Sequence, residues 1–270
     1  LMMNEPCAVL ATTVWNRSMS IQRVEQQPAY ILHRRAFRET SLIVDILSLD
    51  YGRVSLLLRG VRQGKARQSA MVQLFCPLRI SWSGHNELRT MHQLEAAGNP
   101  LRLQGERLYS GLYANELLVR LLARDDPQAH LFAYYQVLLE ALQQQNEATE
   151  VMLRRFERQL LDQLGYDIVL TQEQGSGAAI NAAVSYDYVP LDGFVLATGT
   201  AVAGTLRVPG EVLLALAIDD YQAAEVRHYA KAISRAALTQ LLGNRPLKSR
   251  ELFQTTATIL DSATQLTVKG

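Results

Sequence analysis

Ser41-Leu42-Ile43-Val44-Asp45-Ile46-Leu47, then Asp50-Tyr51-Gly52, then Arg53-Val54-Ser55-Leu56-Leu57-Leu58, reads as a strand, a tight turn and a second strand. The first run is short, rich in β-branched residues and largely apolar on both faces, the pattern of a strand covered from two sides. The glycine of the turn supplies backbone freedom where the chain reverses.

Working outward, further short apolar runs predict strands at Ala29–His33, Thr40–Leu49, Arg53–Leu58, Leu74–Ser81 and Glu87–Leu94, with a second turn at Ser83-Gly84-His85. Five strands in about 70 residues suit a small closed barrel, of which the OB-fold is the five-stranded kind. After Asn99 and Pro100 the apolar period lengthens to that of a helix. Helices are predicted over Glu106–Ala123, Gln128–Gln144 and Glu147–Leu164, the last closed by Gly165. The stretch 167–208, rich in Gly, Ala, Ser and Thr, predicts an irregular β insertion with a hairpin from Val184 to Ala197 turning near Leu191-Asp192-Gly193. Helical period resumes over Pro209–Ile218 and Ala223–Leu242, ending at Gly243. The expected class is α+β: an N-terminal OB-fold barrel over 25–98, a mainly helical domain over 99–166 and 209–255, the insertion at 167–208 and a tail at 256–270. Residues 1–24 are expected to be a disordered lead or an over-long start, with Met19 as the native first residue.

A chain of 270 residues, 48% hydrophobic, can bury more than one core. Its 27 basic and 26 acidic residues leave a formal charge of +1, so no global field forces a polyanionic partner and the local distribution decides. Cys7 and Cys76 are alone and far apart, which fits a reducing, cytoplasmic setting and excludes a disulfide framework. No run reaches the roughly 18 apolar residues of a membrane span, so no membrane partner is expected.

Between Ala29 and Ala97 ten cations face five acids, so the barrel is the basic part. Arg34, Arg35 and Arg38 are expected in the turn between the first two strands, a loop such barrels use for oligonucleotides. Arg59, Arg62, Lys65 and Arg67 fall in a loop with Gly60 and Gly64 that can follow a phosphate backbone. Tyr30, Phe37, Tyr51, Phe75 and Trp82 are interleaved with these charges. Phe37 and Trp82, beside turns, are the candidates to stack on bases, and the rest read as core. A second basic run, Val226 to Arg250, has no acid: Arg227, Lys231 and Arg235 share one helix face, and Arg245, Lys248 and Arg250 follow the helix end. An ordinary solvated helix face competes with a DNA-binding one there.

Patterns for covalent chemistry fail one by one. Gly60-Val61-Arg62-Gln63-Gly64-Lys65 resembles a phosphate loop, but its glycines are one residue too close and Ala66 replaces the hydroxyl that would meet magnesium. Gly175-Ser176-Gly177 lacks a strand-to-helix context. His33, His85, His92, His130 and His228 are never at ligand spacing, and neither cysteine has a ligand neighbour, so no metal or other cofactor is expected. The carboxylate pairs Asp125-Asp126 and Asp219-Asp220 are assigned to helix starts, where acids suit the positive end. No serine elbow or His-Glu-x-x-His is present. The expectation is a protein that is not an enzyme; a nuclease would need a clustered acidic site.

Segments of the chain also resemble the bacterial RecO family, in its gammaproteobacterial type. They are Arg34 to Leu58, with Phe37, Glu39, Thr40, Ser41, Leu42 and Gly52-Arg53-Val54; Leu108 to Leu117; Arg155-Phe156-Glu157 through Leu164-Gly165-Tyr166; and Pro246 to Phe253. They lie in order between about Gln27 and Phe253. The resemblance implies an OB-fold, a helical domain and an insertion that in many relatives holds zinc through four cysteines. Here Gln172, Glu173 and Gln174 stand in that region without a cysteine, so the insertion is expected to be metal-free and held by its own packing. It further implies a mediator of DNA repair and recombination in the RecF pathway, active on the nucleoid. Such a mediator binds single- and double-stranded DNA, anneals complementary strands and, with RecR, helps load RecA onto DNA covered by single-strand-binding protein. A receptor for that protein's acidic tail, which ends in apolar residues and a carboxylate, would pair an apolar groove with arginine. Arg154 and Arg155 beside Met152 and Phe156, or Arg120 and Arg124 beside Leu121, are the candidates. The rival reading is an interaction scaffold whose barrel carries no DNA.

Overall fold

The computed structural model describes residues 23–61, 71–144, 147–200, 204–243 and 245–252. Five strands, β1 (Arg23–Phe37), β2 (Ser41–Ser48), β3 (Gly52–Leu58), β4 (Leu78–Ser83) and β5 (Leu88–Ala96), close into a barrel in the order β1-β2-β3-β5-β4. All neighbours are antiparallel except β3 and β5. This is the OB-fold barrel expected. Alternate residues Val44 and Ile46 of β2 and Val54 and Leu56 of β3 point into its core beside Ile31, Ile80 and Trp82.

Two strands differ most from their expected bounds. β1 begins six residues earlier and runs four further, because two bulges, between Val24 and Gln27 and between Ile31 and His33, interrupt the alternation by which a strand is read. β4 starts later, because Phe75 is left-handed at φ 60° and ends any extended run there. Its ring instead packs against Gly111, where an added Cβ would come within 2.8 Å of it.

Three helices follow, α1 (Gly105–Leu121), α2 (Ala129–Gln144) and α3 (Thr149–Gln163), then the insertion, then α4 (Gly210–Ala217) and α5 (Ala224–Leu242). The insertion's hairpin, β6 (Ser185–Val189) and β7 (Gly193–Leu196), forms as expected. A third strand, β8 (Leu206–Pro209), adds to the other edge of β6; it is too short to show alternation. Hydrogen bonds and an ion pair tie parts of the insertion together. The Glu173 carboxylate accepts from the Leu196 amide and the Ser176 hydroxyl, and Arg207 grips Asp187 with two bonds of 2.8 and 3.0 Å. Among the described residues no cluster of three His, Cys, Asp or Glu could hold a metal ion. Nor is any helix there long and apolar enough to cross a membrane.

A second core unites the helices, the insertion and the outer face of β1 and β2, through Tyr30, Leu32 and Leu47. The buried Asn115 of α1 stitches the seam: its amide donates to the Leu32 carbonyl at 3.0 Å and its oxygen accepts from Tyr135 at 2.6 Å. Nearby, Gly52 (φ 62°) lies so close to the α1–α2 connection that an added Cβ would fall 1.8 Å from the Asp126 carbonyl oxygen. Barrel and helical region are therefore one packed body.

Candidate nucleic-acid interface

The β1–β2 hairpin carries the first group of cations. Its turn is tighter than expected, so Arg34 and Arg35 lie within β1, opposite Val44 and Ile43, and only Arg38 stands in the turn, at φ 53°. Alternation then separates the two strand arginines. Arg34 shares the inward face with Val44 and donates to the Val72 carbonyl at 2.8 Å across the barrel end. Arg35 takes the outward face and is exposed, without an ionic partner among the described residues. Phe37, half-buried, has the Arg38 guanidinium 5.3 Å from its ring centre. Exposed Arg59, at the end of β3, lines a cleft of about 330 Å³ with Val61, His92 and Gln93. Arg62, Lys65 and Arg67 lie outside the described residues.

Other barrel cations have structural partners. Arg53 donates to the Leu122 carbonyl, Arg79 to that of Gln26, and buried Arg89 pairs with Asp125 at 2.8 Å. Asp125 and Asp219, read as helix-start acids, instead turn their carboxylates to arginines, Asp219 to Arg155 at 2.6 Å. Trp82 is corrected as a stacking residue: it is 1% exposed and sits in the barrel core with Tyr51 edge-on at 5.4 Å, so no base can reach its face. Tyr30 and Phe75 lie in the seam core. Phe37 alone of the five interleaved aromatics stays at a strand end beside a cation.

The second basic segment divides in a similar way. Arg227 pairs with Glu150 at 2.9 Å and donates to the carbonyls of Tyr221 and Gln222, stapling the start of α5. Lys231 and Arg235, exposed and one turn apart, face a cleft of about 260 Å³ shared with Arg250, Arg154, Tyr113 and Leu153. The Arg250 guanidinium lies 6.0 Å from the centre of the Tyr113 ring. Lys248 is exposed, while its backbone amide donates to Glu116.

The four arginines assigned to a partner's tail are all engaged within the chain. Arg120 donates to the carbonyls of Leu242, Arg245 and Pro246, and Arg124 pairs with Glu87 at 2.6 Å. Arg154 pairs with Glu157, which is fully buried and also accepts the Tyr113 hydroxyl at 2.5 Å. Burial, then the Glu157 charge, pushes that hydroxyl far above its usual range. Arg155 holds Glu147 and Asp219 and lies over Tyr221. Burial alone would lower its guanidinium; the two carboxylates outweigh that and raise it. Arg155 also edges an open, mostly apolar cleft of about 440 Å³ between α2 and α3, lined by Tyr134, Val137, Met152 and Phe156. Arg154 faces away from it, into the other cleft.

Sequence reasoning missed Asn115 and the pair Glu116 and Arg120 as structural groups. The Glu-to-Arg spacing of four was a signal for a helical pair, but here both side chains reach to the C-terminal segment instead.

Residues 19–100 match the family described as Recombination protein O N terminal, and residues 102–251 match Recombination protein O C terminal. A protein of Marinobacter nauticus called DNA repair protein RecO is 42% identical over 233 residues, 85% of this chain and 94% of that one. One of the same description from Coxiella burnetii (strain RSA 331 / Henzerling II) is 42% identical, covering 86% of this chain and 99% of its own. A third, from Nitrosospira multiformis, is 37% identical over 86% and 96%.

Proposed function

The chain belongs to the RecO family of DNA repair proteins, and from that premise we propose that it is a mediator without catalysis that binds single- and double-stranded DNA and anneals complementary strands. In the cell it would act in the cytoplasm on nucleoid DNA and, with RecR, help RecA replace single-strand-binding protein. The observation that carries this reading is the exposed set Arg35, Arg38 and Arg59 around one end of an OB barrel, with Phe37 beside it. Cations there can neutralise phosphates without reading sequence, and an aromatic face can hold a base. Annealing asks for that and no bond-making.

The partner's acidic tail fits the apolar cleft between α2 and α3, its apolar end against Tyr134, Val137 and Phe156. Its carboxylate would compete with Glu147 and Asp219 for Arg155.

The test is binding of a labelled single-stranded oligonucleotide across a salt series, followed by a strand-annealing assay. Binding that weakens steeply with salt, and annealing faster than the spontaneous rate, are expected. No binding at low salt would leave the scaffold reading.

A further inference from the structure

Three cations of the helical region, Lys231, Arg235 and Arg250, line one cleft and have no carboxylate partner among the described residues. The fourth, Arg154, is neutralised by Glu157, and the rim acid Glu150 by Arg227. Glu106 is the remaining acid at the rim, so the cleft keeps an excess of positive charge. Cations gathered about a cavity repel one another and stay together where an anion joins them.

Arg250 is held there by construction. Leu247 is 1% exposed in the helical core. On either side of it, Arg120 fixes the carbonyls of Leu242, Arg245 and Pro246, and Glu116 accepts the amides of Lys248 and Ser249 and the Ser249 hydroxyl. The segment that delivers Arg250 is thus pinned at both ends to one face of α1, so the cation is placed before any ligand arrives.

We propose that this cleft is a second nucleic-acid site, which takes the phosphate backbone of a strand other than the one on the barrel. α1 separates the two surfaces: Asn115 points to β1, while Tyr113, about 200° round the helix, borders the cleft. Lys231 and Arg235 stand about 6 Å apart along α5. Two nucleotides of a stacked strand rise about 6.8 Å, so the pair matches phosphates two steps apart on a polyanion better than a lone carboxylate. A chain that holds one strand on each side of α1 brings two strands together while each is neutralised separately. This rests on the reading that the protein binds DNA.

The experiment titrates full-length protein at low salt with a labelled oligonucleotide of about 12 nucleotides, within the site size of one barrel. The wild type is compared with the Lys231→Ala/Arg235→Ala double variant. Both side chains are exposed, so the fold is not at risk, and Arg250→Ala serves as an independent second variant. The wild type should saturate at two oligonucleotides per chain and the variants at one, with the tighter binding unchanged and annealing slowed by about tenfold. A wild type that saturates at one, or variants that still take two and anneal normally, would overturn the proposal. So would displacement of the second oligonucleotide by dilute inorganic phosphate, which would mark a site for a lone anion. Absence of any binding by the wild type would instead sink the DNA-binding reading itself.

Discussion

Arg154 and Arg35 are the same residue type, yet one is locked to a buried carboxylate and the other stands on a strand without an ionic partner among the described residues. The helices α1 and α3 spend their arginines on carbonyls and acids of their own chain. Arg35 on the barrel and Lys231 and Arg235 on α5 have no ionic partner among the described residues. Charge in a sequence therefore marks two different things, cohesion and recognition, and only the partner geometry tells them apart.

Substitution should break that distinction in opposite directions. The largest effect is expected for Arg154→Ala, which leaves fully buried Glu157 without its cation. A loss of about 3 kcal/mol of stability is expected, read from the denaturant midpoint, with oligonucleotide affinity per folded molecule unchanged. Arg120→Ala strips donors from three carbonyls and should cost about 1.5 kcal/mol. Arg120→Lys should restore little of it, since one ammonium cannot span the three positions.

A smaller effect comes from pH. Burial alone would raise the Glu116 carboxyl, but the bonds from Ser249 and Lys248 outweigh it and hold the group below the ordinary glutamate range. A depressed folded value means that the docking of the C-terminal segment is fully stabilised above the ordinary range and weakens as pH falls through the lower folded one. Amide exchange at Lys248 and Ser249, corrected for the intrinsic rate, should therefore show protection that is flat at neutral pH and declines once the pH falls below the ordinary glutamate range. Glu116→Gln should remove that dependence; persistence of the decline in the variant would disprove the assignment. The smallest stability change, within about 0.5 kcal/mol, is expected for Arg35→Ala and Arg59→Ala, which have no ionic partner among the described residues.

Strands and helices with strong periods were legible to within a residue or two. Thr40–Leu49 contains β2, and the predicted end of α5 at Gly243 coincides with a left-handed glycine at φ 63°. What stayed hidden were features that periodicity does not encode: the bulges that lengthen β1, the left-handed Phe75, and the four residues of β8. For the site, local charge excess pointed to the right surfaces. It could not show that Trp82 turns inward, or that Arg34 and Arg120 are structural, because the carbonyls they reach lie 38 and up to 126 residues away and only folding selects them; Arg154 pairs three residues on, and what stayed hidden there is the burial of Glu157.

The central claim is that Arg35 and Arg59, which have no ionic partner among the described residues, carry the nucleic acid and that the carboxylate-paired Arg154 does not. The salt dependence of single-strand binding tests it on three proteins: wild type, Arg35→Ala/Arg59→Ala, and Arg154→Ala kept well below its melting point. Removing one cation from the phosphate backbone should reduce the slope of log affinity against log salt by about 0.7. The double variant should therefore show a slope shallower by about 1.4, and Arg154→Ala the wild-type slope. A wild-type slope in the double variant, with a shallower one in Arg154→Ala, would contradict the account.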